Sequence, residues 1–108
     1  MSYLVHLSEQ AETDLRSIFE YIAFELQSLQ NAAGQMDRLE AAIASLSEMP
    51  ERYIRYEKEP WFSRGLRRMV VDNYLVFYIP DQAQQTVHII RVMYGRMDVD
   101  RALPEETE

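Results

Sequence analysis

Arginine carries most of the chemistry open to this sequence. There is no cysteine, which excludes disulfides, thiol nucleophiles and thiolate metal sites. The two histidines, His6 and His88, are far apart in the chain, so no metal centre and no cofactor is expected. Residues 61–101 hold six arginines and no lysine against four aspartates, whereas residues 1–60 hold 5 Lys/Arg against 11 Asp/Glu. The net charge of −7 argues against non-specific nucleic-acid binding, which depends on neutralising phosphates. It also argues against sequence-specific DNA binding by the chain alone. The local arginine cluster still suits a specific anionic partner.

The elements that position these arginines lie between Gly65 and Asp98. Val, Ile, Tyr, Phe and Met fill three runs that read as antiparallel strands. Asp72-Asn73 separates the first two, and both residue types tolerate the positive φ of a two-residue hairpin turn. Pro80-Asp81-Gln82 breaks the second run. Upstream, Tyr3–Leu7 alternates as a short strand, and Ser8 offers an N-cap hydroxyl. Ala11, Leu15, Ile18, Phe19, Ile22 and Leu26 then form one helical face. A second helical pattern runs from about Leu29 to Met49 and is expected to end at Pro50. Residues 50–64 have no clean period and carry Tyr53, Tyr56, Trp61 and Phe62 among charges; Trp61 and Phe62 are expected to plug the sheet edge.

These elements predict an α+β fold: an N-terminal strand, a two-helix antiparallel hairpin, and an antiparallel sheet of three contiguous C-terminal strands. One domain is expected over 1–101, followed by an acidic, solvated tail at 102–108. With no apolar run near 18 residues and no signal peptide, a cytoplasmic protein with no membrane partner is expected.

Pairing Val71 with Tyr74 places Arg67, Met69 and Val71 on one face with Val76 and Tyr78. Pairing Ile79 with Thr86 adds Val87, Ile89, Arg91 and Met93 to that face, which the helices should cover. Arg67 and Arg91 would then be buried and need carboxylates, with Asp14 and Asp98 as candidates. The opposite face would hold Arg68, Val70, Leu75, Phe77, His88, Ile90, Val92 and Tyr94. Its apolar middle implies a partner.

Three segments, LSEQAETDLRSIFEYIA, GLRRMVVDNYLVFY and IIRVMYGRMD, resemble the RelE/ParE toxin superfamily of type II toxin–antitoxin systems. The resemblance spans nearly the whole chain and implies a small toxin that a cognate antitoxin neutralises by covering the open sheet face. The superfamily's ribosome-dependent mRNA nucleases typically carry an arginine in a third-strand pattern like Y-R-L-V-Y, where this chain has Leu75. They often carry another in the turn after the last strand, where it has Met97. The Y-L-x-F-Y form is similar to the ParE-like branch, which implies DNA gyrase as target and no catalytic residues. The partner surface would then be Arg68, Leu75, Phe77, Ile90, Val92, Tyr94 and Arg96. The alternative within the resemblance is an mRNA endonuclease on the ribosome, with Tyr94, His88 and Arg68 as its catalytic set. A third reading is a non-toxic antitoxin-binding module.

Overall fold

Ser8 starts the first helix and also fastens it to the sheet. Its backbone is extended, and its Oγ accepts the Ala11 N–H at 3.0 Å while Glu9 and Glu12 favour the positive end of the helix dipole. The same hydroxyl donates to the Ile90 carbonyl at 2.9 Å. The computed structural model describes residues 2–95 and Leu103. Strand β1 (Leu4–Leu7) leads into α1 (Glu9–Glu20), which runs on as a π-helical turn over Tyr21–Glu25. Gln27, at φ 53°, turns the chain, and Ser28 caps α2 (Leu29–Ala44).

The second helix is shorter than its sequence pattern. The α-helix stops at Ala44, and Ser45–Ser47 tightens into a 3₁₀ turn. Ser45 Oγ donates back to the Ala42 carbonyl at 2.6 Å, a side-chain bond of the kind that competes with helix continuation. Pro50 does not end the helix; it opens a separate 3₁₀ turn, Pro50–Arg52, after Met49 at φ 47°. A short helix α3 (Trp61–Arg64) precedes β2 (Arg67–Val71), β3 (Tyr74–Asp81) and β4 (Thr86–Tyr94). Among the described residues no helix is long and apolar enough to cross a membrane.

The sheet has the order β1-β4-β3-β2, with β1 parallel to β4 and the other pairs antiparallel. Val71 pairs with Tyr74 across the Asp72-Asn73 turn, where Asp72 has φ 55°. The second hairpin is tighter than the sequence suggested, because β3 runs through Pro80 to pair Asp81 with Thr86. That two-residue shift preserves which face each side chain takes. A β-bulge does not: Tyr78 pairs with Ile89 but Phe77 with Arg91, leaving Ile90 as the extra residue. Arg91 keeps the helix side, where it meets Asp14, but Val92, Met93 and Tyr94 all change face relative to the uninterrupted alternation. Val92 and Tyr94, expected on the open face, therefore belong to the helix side, and Met93 moves to the opposite side.

Two apolar layers result. Under the helices, Ala11, Leu39, Ile43 and Leu46 pack on Met69, Val76, Tyr78, Val87, Ile89 and Val92. On the other face, Phe77 and Met93 are covered by Trp61, Leu66 and Leu103, with Tyr56 ring-to-edge on Phe77 at 5.7 Å. Trp61 Nε1 donates to the Leu103 carbonyl at 3.1 Å. The face that the sequence left open is thus closed in its middle by the chain itself. Leu103, assigned to a solvated tail, is buried there. Phe62 stays partly exposed while Trp61 does the plugging.

Tyr78 ties the helix-side layer to the loop. Its Oη donates to the Pro50 carbonyl at 2.6 Å, and burial pushes its phenol from 10.0 up to about 12. The raised folded value favours the neutral phenol, so its contribution is intact below pH 10 and is lost as pH climbs through 12. Thermal melts between pH 9 and 12 should show a steep alkaline loss of stability that is smaller in Tyr78→Phe. Parallel curves for the two proteins would contradict this role.

Candidate functional site: a groove between the helical hairpin and the last strand

The π-helical turn carries the chain away from the apolar stripe of α1. Around it, Tyr21, Phe24, Leu26 and Leu29 are 55–66% exposed at the end of the helical hairpin. Beside them, α1, α2 and the ends of β3 and β4 enclose a groove of about 870 Å³. Its floor includes Ile18, Ile22, Tyr74 and Val92, and Tyr94 stands at its mouth. Tyr74 and Tyr94 meet edge to face at 5.8 Å, and burial pushes the Tyr74 phenol up. Apolar floors with a few placed polar groups are the usual form of a recognition site.

Two polar clusters hold the groove's walls. Asp14 on α1 accepts from Arg91 Nε at 2.7 Å, from Arg91 Nη2 at 2.9 Å and from the Val92 N–H at 2.9 Å. The carboxylate therefore fills the place of a neighbouring strand beside β4, past the end of β1. Its hydrogen bonds raise the Arg91 guanidinium further above its ordinary value. Across the groove, Asp72 of the β2–β3 turn accepts from Arg38 Nε at 2.8 Å and Gln35 Nε2 at 3.0 Å. Those bonds hold its carboxyl below the ordinary carboxylate value. Gly95 follows closely, its N–H donating to the Asn73 carbonyl at 2.8 Å. A Cβ there would sit 3.2 Å from that oxygen.

The residues singled out from sequence are dispersed. Arg68 is exposed on β2; Leu75 and Ile90 are half-buried against the Trp61 layer. Phe77 and Val92 are buried, on opposite faces, and neither offers a surface to a partner. Tyr94 and His88 are six residues apart on β4, about 20 Å at roughly 3.3 Å per residue, and point to opposite faces. Tyr94, His88 and Arg68 do not meet as a catalytic set. Arg67 Nη1 donates to backbone carbonyls in place of a carboxylate, those of Glu51 at 3.0 Å and Tyr53 at 2.7 Å. Of the two acids considered for Arg91, Asp14 is in contact; Asp98 lies outside the described residues, as do Arg96 and Met97. Among the described residues no group of three or more acids and histidines could hold a metal ion.

The groove itself was missed. Tyr21 and Phe24 fall off the apolar stripe of α1, and large apolar residues in off-stripe positions were the available signal.

Residues 5–99 match the family profile described as the ParE toxin of the type II toxin–antitoxin system parDE. The chain belongs to the ParE toxin family. As a ParE toxin it shares its fold with solved toxins of the wider superfamily. One is in the chromosomal ParDE system of P. aeruginosa, at 14% identity and TM-score 0.70, covering 86% of this chain and 96% of that one. A second is in the RelBE2 toxin–antitoxin complex of Mycobacterium tuberculosis, at 23% identity and TM-score 0.62, covering 87% and 99%. A third is in the intact RelBE complex of E. coli, at 12% identity and TM-score 0.62, covering 89% and 100%. No curated protein matches the chain. The strand, helical hairpin and three-stranded antiparallel unit of this chain are those of the RelE/ParE fold, and the chain is a toxin of a type II toxin–antitoxin system.

Proposed function

We propose that this ParE-family chain acts by binding a protein target, DNA gyrase, and not by cutting RNA. Leu75 carries the reading. The resemblance to the nuclease branch would require an arginine at this third-strand position. Here the side chain is apolar and packs against the layer built by Phe77 and Met93. RNA cleavage through the 2′-hydroxyl needs cations against the charge developing on phosphorus, and removing one such stabilising group typically costs roughly 10²–10³ in rate. The distance between Tyr94 and His88 adds support, since a proton donor and acceptor must both reach one substrate. Inhibition by binding needs a complementary surface, for which Arg68, Leu75 and Ile90, on the face opposite the helices, remain the residues assigned.

A cognate antitoxin is the partner we assign to the groove. Relatives of the same fold occur as RelBE2 and RelBE toxin–antitoxin complexes. The exposed Tyr21, Leu26 and Tyr94 around an apolar floor suit an apolar face of a partner segment.

Expression without antitoxin tests the target. Growth arrest with accumulation of gyrase–DNA cleavage complexes, and intact ribosome-bound mRNA, is the expected result. Codon-dependent mRNA cleavage that disappears in Tyr94→Phe would replace this reading with the nuclease. Silence in both assays would leave a non-toxic antitoxin-binding module.

A further inference from the structure

Three arginines converge far from the groove, where β2 begins and β3 hands over to β4. Arg55, Arg64 and Arg67 line a depression of about 530 Å³ together with Glu51, Asp81 and His88. We propose that this depression binds a mononucleotide, its phosphate on the guanidinium groups and its sugar hydroxyls on the carboxylates. The proposal goes beyond the toxin reading and does not depend on the gyrase assignment.

Arg67 and Arg55 are held in place by contacts that leave donors over. Arg67 spends Nη1 on the Glu51 and Tyr53 carbonyls, and its Nε and Nη2 donate to no described residue. Arg55 lies 4.2 Å over the Phe62 ring and donates Nη2 to the Phe62 carbonyl. Its Nε is the buried side-chain nitrogen without a hydrogen-bond partner among the described residues. That nitrogen is shielded from solvent, so Arg55 offers the depression its charge and its outer guanidinium nitrogens and not Nε. Arg64 is stacked 4.9 Å over the Trp61 ring. Planar guanidiniums fixed in this way match phosphate oxygens at little entropic cost.

The remaining lining selects among anions. Glu51 and Asp81 line the depression. Glu51 Oε2 accepts from Gln82 Nε2 at 3.0 Å, Asp81 Oδ1 accepts the Gln84 N–H at 3.1 Å, and Asp81 Oδ2 lies 3.7 Å from His88 Nε2. That leaves Glu51 Oε1 as the acceptor without a partner among the described residues. A bare phosphate would meet them with repulsion, whereas a ligand that also carries hydroxyls satisfies both signs. Ile79 and Pro80 add an apolar strip for a base, and the volume falls in the range of small-ligand sites, roughly 300–1,000 Å³. A nucleic-acid polymer is disfavoured, because a chain of net charge −7 repels phosphates beyond the site.

Calorimetric titration of the full chain with AMP, adenosine, inorganic phosphate, a single-stranded octanucleotide and a hexaglutamate peptide tests the assignment. AMP should bind saturably and more tightly than any other probe. Arg55→Gln and Arg64→Gln should each weaken it about tenfold or more, as loss of one charged hydrogen bond implies. Arg64 is exposed, so Arg64→Gln stays decisive should Arg55→Gln fail to fold by circular dichroism. The proposal falls if AMP shows no saturable binding at millimolar concentration, or if folded Arg64→Gln binds it unchanged. It falls equally if adenosine, phosphate alone, the oligonucleotide or the peptide binds as tightly as AMP.

Discussion

Asp14→Ala should destabilise the free toxin by about 2–4 kcal/mol. Removing one member of a fully buried ion pair typically costs about 3–5 kcal/mol. The side chains here are 23% and 12% exposed, which lowers the figure. The loss exceeds that of a surface bridge because Asp14 also satisfies the Val92 N–H beside the bulge. In a domain of this size the midpoint of thermal unfolding should fall on the order of 10–20 °C. Asp14→Asn keeps an acceptor but not the charge, and should recover only part of the loss. Salt near 1 M should alter the wild-type value little, since the pair is largely shielded. A midpoint within 2–3 °C of wild type for Asp14→Ala, about half a kcal/mol, would show that packing alone holds α1 to β4.

Phe77→Ala separates the two accounts of the second sheet face. Were that face open and waiting for a partner, truncating Phe77 would leave the free chain nearly unaffected and weaken the complex. Instead Phe77 is fully buried beneath Tyr56, Trp61 and Leu103. Truncation there should cost the transfer energy of the ring plus a cavity, about 3–5 kcal/mol. The single tryptophan reports the same layer directly. Its emission should shift to the red in Phe77→Ala as water reaches the Trp61 ring. Unchanged stability with weakened antitoxin binding would restore the open face.

Local chemistry was enough to read the elements. The Ser8 cap, the apolar stripe from Ala11 to Ile22, and the Asp72-Asn73 turn each depend on residues within a few positions; Leu26, counted on that stripe, lies past it and is exposed. From them follow the α+β order and the Val71–Tyr74 register. The three quoted segments pointed to the toxin superfamily for a similar reason: the pattern lies along the chain.

Tertiary structure decided which side chains share a face beyond Ile89. Strand alternation is a count, and one extra residue at Ile90 reverses it from Val92 to Tyr94. What holds that residue out of register is remote: Ser8 bonds the Ile90 carbonyl and Asp14 the Val92 N–H, 82 and 78 positions away. The closure of the Phe77 face is equally non-local, since Leu103 and Trp61 meet across 42 residues. No periodicity signals either contact, because a period reports only neighbours in sequence. Strand pairing and burial bring together residues that the chain keeps apart, and there the groove and the arginine depression arise.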